Sequence, residues 1–160
     1  MDIKDLKIIV TGGASGMGRC FATELAKAGA TVAIGDLDES KMAEVVVESK
    51  DMAGDIHAFS CNVADEDSVI ALINNAHETM GGLNGLINNA GIFRDGLLVK
   101  QDRETGEIKR MSLKNWNAVI AVDLTGPFLC TREFAAKMIE TKTPSSCVVN
   151  ISSVARHGNR

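Results

Sequence analysis

The sequence predicts a doubly wound α/β domain, a parallel sheet with helices on both faces. Two observations carry this. Short Val- and Ile-rich runs alternate with amphipathic stretches from one end of the chain to the other, the pattern of βα units. The first of those runs passes into a helix through Thr11-Gly12-Gly13-Ala14-Ser15-Gly16-Met17-Gly18. Glycines there permit backbone angles closed to other residues and let the main chain approach a phosphate at a helix N-terminus.

The first strand is expected over Leu6–Val10, followed by a helix from Gly16 to Ala28 that buries Phe21 and Leu25 and stops at Gly29. Thr31 to Gly35 forms the second strand, ending at Asp36. A helix with Met42, Val45, Val46 and Ser49 on one face precedes the third strand, Ile56–Cys61. Asp65, Glu66 and Asp67 put acids at the positive end of the next helix, whose stripe Val69, Leu72, Ile73, Ala76 and Met80 reads as core. Leu83–Asn88 is the fourth strand, running into Asn88-Asn89-Ala90-Gly91.

Arg94 to Arg110 is charged and irregular, with a turn at Glu104-Thr105-Gly106. Ser112 then caps one long helix carrying Leu113, Trp116, Val119, Ile120, Leu124, Phe128, Met138 and Ile139, kinked where Gly126-Pro127 interrupts the backbone bonding. Cys147–Ser152 is the fifth strand. The expected strand order is 3-2-1-4-5.

One domain, incomplete at its C-terminal end, fills residues 1–160. A 45% apolar and 24% charged composition with a net charge of −4 gives nothing for nucleic acid to bind. No apolar run approaches the roughly twenty residues of a membrane span, and the acidic start Met1-Asp2-Ile3-Lys4-Asp5 is unlike a signal peptide. Cys20, Cys61, Cys130 and Cys147 lie far apart in apolar elements and read as reduced core residues of a cytoplasmic protein. His57, His77 and His157 have no spacing suited to a metal site, so none is expected.

Three motifs in order, Thr11-Gly-x-x-x-Gly16-x-Gly18, Asn88-Asn89-Ala90-Gly91 and Asn150-Ile151-Ser152-Ser153, resemble those of the short-chain dehydrogenase/reductases. The resemblance covers the N-terminal two-thirds of that family's Rossmann fold, and Asn89 to Gly96 is similar to its 3-oxoacyl-ACP reductase branch. It implies an oxidoreductase that transfers a hydride between a nicotinamide cofactor and an alcohol or carbonyl substrate. By the same resemblance, Gly12, Ser15, Gly16, Met17 and Gly18 look like the cradle of phosphate and adenosine ribose, and Asn62-Val63 like the adenine pair. Asn89, Ala90 and Gly91 look like the stretch beside the nicotinamide-side ribose, with Asn88 tying strands together. Ser153 looks like the serine that donates to the substrate oxygen.

Asp36 selects the dinucleotide. It stands about twenty residues past the glycines, where a carboxylate accepts ribose hydroxyls and repels a 2′-phosphate. Neither Ser15 nor Leu37 is a base that would offset it, so NAD(H) is expected before NADP(H). The family's proton donor is a tyrosine in Tyr-x-x-x-Lys, and the 160 residues contain no tyrosine. The resemblance puts it beyond Arg160, about a dozen residues past Ser153, close enough to share a substrate oxygen. Asp123 occupies the position of an asparagine whose main chain helps hold a relay water. Two roles stay open for it, preserving that relay or capping the helix kink.

Alternatives to an NAD(H) dehydrogenase are a non-catalytic NAD(H)-binding module and an NADPH-dependent 3-oxoacyl-thioester reductase. The fifth strand is expected to be an open sheet edge, and the long helix to show an apolar face of the kind the family buries in homodimers or homotetramers.

Overall fold

The computed structural model describes residues 2–154 and residue 158. Strands β1 (Lys7–Thr11), β2 (Thr31–Asp36), β3 (Ile56–Ser60) and β4 (Gly85–Asn88) are followed by a short hairpin, β5 (Val99–Gln101) and β6 (Ile108–Arg110), and then by β7 (Cys147–Asn150). All but the hairpin strands form one sheet, ordered β3-β2-β1-β4-β7, with every neighbouring pair parallel. This is the expected five-strand order, the hairpin changing only the numbering.

Alternation along the strands splits the core in two. Ile8, Val10, Val32 and Ile34 face α1 (Gly16–Lys27) and α2 (Glu39–Glu48), meeting Ala22, Ala26, Met42 and Val45. Ile9, Ala33 and Leu86 face the other way, toward α3 (Glu66–Met80) and its Leu72 and Ile73. Each fully buried side chain of this size contributes about 1.5–3 kcal/mol relative to exposure. The predicted stripe of α3 is buried at every position, and Asp65 caps the helix by accepting from the Ser68 amide at 2.8 Å.

Helix α1 differs from expectation. Its buried seam is Gly18, Ala22 and Ala26, while Phe21 and Leu25 pack only partly against the core. Small residues let this helix lie close on the sheet: a Cβ on Gly18 would stand 2.1 Å from the Gly12 carbonyl oxygen. Large side chains at the seam would push it away.

The long helix is three pieces: α4 (Leu113–Val119), a π-helical turn (Ile120–Thr125), and α5 (Gly126–Glu140) with Pro127 in its first turn. Ser112 caps α4 as expected, accepting from the Asn115 amide at 3.2 Å. The Gly126 amide reaches back five residues to the Ala121 carbonyl, so the break is a widened turn rather than a simple proline kink.

The segment read as irregular holds the β5–β6 hairpin, with its turn where predicted; Gly106 has φ +74°. Composition hid it, because each strand is three exposed residues long. The cysteine reading is half corrected: Cys61 and Cys130 are buried, but Cys20 and Cys147 are exposed. Burial pushes the Cys61 thiol up and the Cys130 thiol up to about 12. Among the described residues β7 is an edge strand with all four residues exposed, and no helix is long and apolar enough to cross a membrane.

Candidate functional site

In a parallel sheet the carboxyl ends of all strands share one edge, and a ligand crevice opens where the chain reverses its direction of travel across the sheet. Here that point lies between β1 and β4. The loops leaving these strands touch: a Cβ on Gly12 would be 2.9 Å from the Ala90 Cα. Gly12 and Gly16 adopt φ +67° and +54°, angles that strain any residue with a side chain. A Cβ on Gly16 would meet nothing within 4 Å, so its space opens outward. Ser15 stands at the α1 N-cap without a side-chain hydrogen bond, and the first helical bond runs from the Arg19 amide to the Ser15 carbonyl. The amides of Gly16, Met17 and Gly18 therefore have no partner within the helix, the arrangement that could hold an anion. Met17 is 61% exposed beside them.

Thr11 fastens the two loops together. Its hydroxyl accepts from the Asn89 amide at 3.0 Å and the Ala90 amide at 3.1 Å, and donates to the Ile87 carbonyl at 3.4 Å. The Asn89 side chain returns a bond to the Thr11 carbonyl at 3.0 Å. Asn88 ties β4 to β7 and α5, its Nδ2 donating to Asn150 Oδ1 at 2.8 Å and Thr131 Oγ1 at 3.0 Å. The sequence reading missed Thr11 as a hub. The available signal was a hydroxyl residue ending an otherwise apolar strand immediately before the glycines.

Asp36 lies at the end of β2, where its Oδ1 accepts from the amides of Leu37 (2.7 Å) and Asp38 (3.1 Å) and its Oδ2 from that of Ala14 (3.0 Å). It thus shapes the glycine loop itself. Of the roughly four lone-pair sites of a carboxylate, about one remains for a hydroxyl. Asn62 is exposed just past β3, its Oδ1 accepting from the Ala64 amide at 3.1 Å. Val63 is different: its side chain is buried against the position of Gly126, leaving only main chain for a ligand.

Asp123 sits in the π-helical turn and is exposed. Its Oδ1 accepts from the Ile92 amide at 2.9 Å, pinning the loop after Gly91. Its side chain therefore holds the neighbouring loop. Ser153 is exposed three residues past β7. His57 lies in β3 and His77 in α3, and His157 falls outside the described residues. Among those residues no group of three or more His, Cys, Asp or Glu side chains converges.

Comparison with known proteins agrees with this layout. The model of the short chain dehydrogenase family matches residues 6–159. The chain is 35% identical over 146 residues to the 3-oxoacyl-[acyl-carrier-protein] reductase FabG of Thermotoga maritima, covering 91% of this chain and 54% of that protein. It is 36% identical over 154 residues to a 2,5-dichloro-2,5-cyclohexadiene-1,4-diol dehydrogenase of Sphingobium indicum, covering 96% of this chain and 56% of the relative. The chain thus spans about half the length of the curated relatives it matches. A crystal structure of a putative short-chain alcohol dehydrogenase from Sinorhizobium meliloti superposes with a TM-score of 0.81 at 24% identity, over 98% of this chain and 57% of that one; it shares the fold. With the glycine cradle, the Thr11-fastened Asn-Asn-Ala-Gly loop and a family match along nearly the whole length, this chain belongs to the short-chain dehydrogenase family.

Proposed function

We propose that the chain is the cofactor-binding part of an NAD(H)-dependent oxidoreductase acting on an alcohol or carbonyl. The observation that carries the reading is the crevice between β1 and β4, where unbonded α1 amides, two positive-φ glycines and the Asn89–Gly91 loop converge. The residues present fit a dinucleotide. The amides of Gly16, Met17 and Gly18 meet the pyrophosphate, Gly12 and Ser15 shape the loop, and the remaining Asp36 lone pair takes a ribose hydroxyl. Asn62 and the Val63 main chain face the adenine, and Asn89, Ala90 and Gly91 border the nicotinamide-side ribose. The bound cofactor supplies the hydride acceptor or donor.

Ser153 donates a hydrogen bond to the substrate oxygen, stabilising charge as it develops there. Pro127 has no amide hydrogen and removes one donor from the helical bonding around the widened turn that holds Asp123. Asp123 would then serve the relay through its main chain while its side chain steadies the loop. With no tyrosine among these 160 residues, we expect them to bind cofactor without turnover, the Tyr-x-x-x-Lys pair lying further along the protein. Free Cys20, Cys61, Cys130 and Cys147 support a cytoplasmic location. Exposed Leu113, Trp116, Leu124 and Phe128 on α4 through α5 suit a homodimer or homotetramer.

Direct titration tests the cofactor assignment. NADH is expected to bind at least about tenfold tighter than NADPH, since Asp36 repels a 2′-phosphate. Tighter NADPH binding would overturn it. That result would favour the second reading, an NADPH-dependent 3-oxoacyl-thioester reductase, whose reaction, though not its cofactor, matches the names of several relatives.

A further inference from the structure

A second cavity, outside the crevice, is lined by the β5–β6 hairpin and the start of α4. It is an open groove of about 310 Å³ whose wall carries Arg94, Lys100, Lys109 and Arg110 against a single carboxylate, Asp95. The whole chain has a net charge of −4, so this concentration of positive charge runs against the composition.

The hairpin neutralises it only in part, through one ion pair. Lys100 and Lys109 are register partners across the two strands, which puts both side chains on one face, an arrangement that destabilises a sheet. Lys109 has a counter-ion, Asp102, at 3.3 Å. That carboxylate also holds the turn, where Oδ1 accepts from the amides of Thr105 and Glu104; those bonds, with Lys109, keep its pKa below the usual carboxylate range. The Lys100 ammonium makes no hydrogen bond or ion pair among the described residues, its main chain being paired in the hairpin. Arg94 and Arg110 each turn one guanidinium nitrogen to a nearby carbonyl, Phe93 at 2.9 Å and Ile108 at 3.5 Å, leaving the rest of each planar fork to meet an anion.

We propose that this groove is a binding site for a phosphate-class oxyanion carried by a small molecule. Arg94, Lys100 and Arg110, none of them ion-paired among the described residues, together with Lys109, which Asp102 partly neutralises, match a dianion better than a monocarboxylate, and guanidinium forks suit its tetrahedral oxygens. Leu97 and Met111 also line the groove, giving an apolar wall to whatever bears the phosphate. The site is separate from the cofactor crevice and does not depend on the NAD(H) assignment.

The single tryptophan, Trp116, adjoins Asn115 on the groove wall and reports occupancy by its fluorescence. The protein, with NAD+ present to occupy the glycine loop, is titrated at constant ionic strength with inorganic phosphate and, separately, with octyl phosphate. Saturable changes are expected with both. Tighter binding of octyl phosphate identifies an ester of an apolar molecule as the occupant, and equal binding identifies the free anion. The double variant Lys100→Gln/Lys109→Gln is expected to weaken binding at least about tenfold, Lys50→Gln to leave it unchanged, and Asp95→Asn to tighten it. The last is a gain that misfolding cannot produce. Unchanged affinity in the double variant, weaker binding in Asp95→Asn, or an equal response to sodium chloride would overturn the proposal. Separate NADH titration of the same variants keeps a failure of the cofactor assignment distinguishable.

Discussion

Replacing Thr11 with valine removes one oxygen and leaves the shape nearly unchanged, which isolates the hydroxyl as the fastener of β1 to the β4 loop. Thr11 is 2% exposed, so water does not readily take the place of the lost acceptor. Two amides, Asn89 at 3.0 Å and Ala90 at 3.1 Å, are left unpaired. An unsatisfied buried donor costs about 1–3 kcal/mol, and both amides are only part-buried, so each belongs at the low end. The extra methyl group returns less than about 0.8 kcal/mol. Loss of the hydrogen bonds wins, by about 1–2 kcal/mol. With a urea slope of about 1–3 kcal/mol/M, the unfolding midpoint should fall by roughly 0.5–1 M, followed by circular dichroism. Thr11→Ser keeps the oxygen and should recover most of the loss. The same loosening should weaken NADH binding, since the Asn89–Gly91 loop moves with it. A Thr11→Val midpoint within error of the parent, or a serine variant as unstable as the valine one, would refute the reasoning.

The glycine cradle separates packing from ligand space. Gly18→Ala drives a Cβ into the Gly12 carbonyl, 2.1 Å away, so α1 must retreat by more than about 1 Å to reach normal contact; thermal melting should show a large loss of stability. Gly16→Ala meets no neighbour within 4 Å and carries only a left-handed strain of about 1–2 kcal/mol. Its larger effect should appear in NADH titration, because the new methyl group occupies the open space. The cysteines give a third expectation. Native protein should expose Cys20 and Cys147 to a thiol reagent near pH 8, with Cys61 and Cys130 reacting only after denaturation. Because burial raises the Cys130 pKa to about 12, folded protein keeps a proton that unfolded chain releases at about pH 8.5. Stability should therefore hold below that pH and decline as pH rises toward 12; Cys130→Ala, a melt-competent comparison, should flatten the decline.

Much of this was legible in sequence because it rests on local rules. The α3 stripe, the acids opening that helix and the Ser112 cap follow from periodicity and capping chemistry, which need no knowledge of distant residues, and the five-strand order from the doubly wound class that the βα alternation and the three motifs imply. The placement of candidate residues at strand ends follows from the same source. The hairpin in 94–110 was not legible, since two three-residue exposed strands leave no apolar alternation to read. The π-helical turn was hidden for another reason: Gly126-Pro127 announces a break, but whether it kinks or widens depends on what the neighbouring carbonyls can reach.

The sequence by itself determined a parallel α/β sheet, a glycine turn suited to a dinucleotide and the carboxylate at Asp36, because each is a matter of residue type at a fixed spacing. Tertiary structure decided how those parts are joined. Only the packed sheet brings the Thr11 hydroxyl to the amides of Asn89 and Ala90, the Asp36 carboxylate to Ala14, and Asp123 to Ile92. Only the folded hairpin sets Lys100 beside Lys109. These contacts join residues distant in the chain or on different strands, and their geometry is set by sheet register and helix packing, which no local spacing encodes.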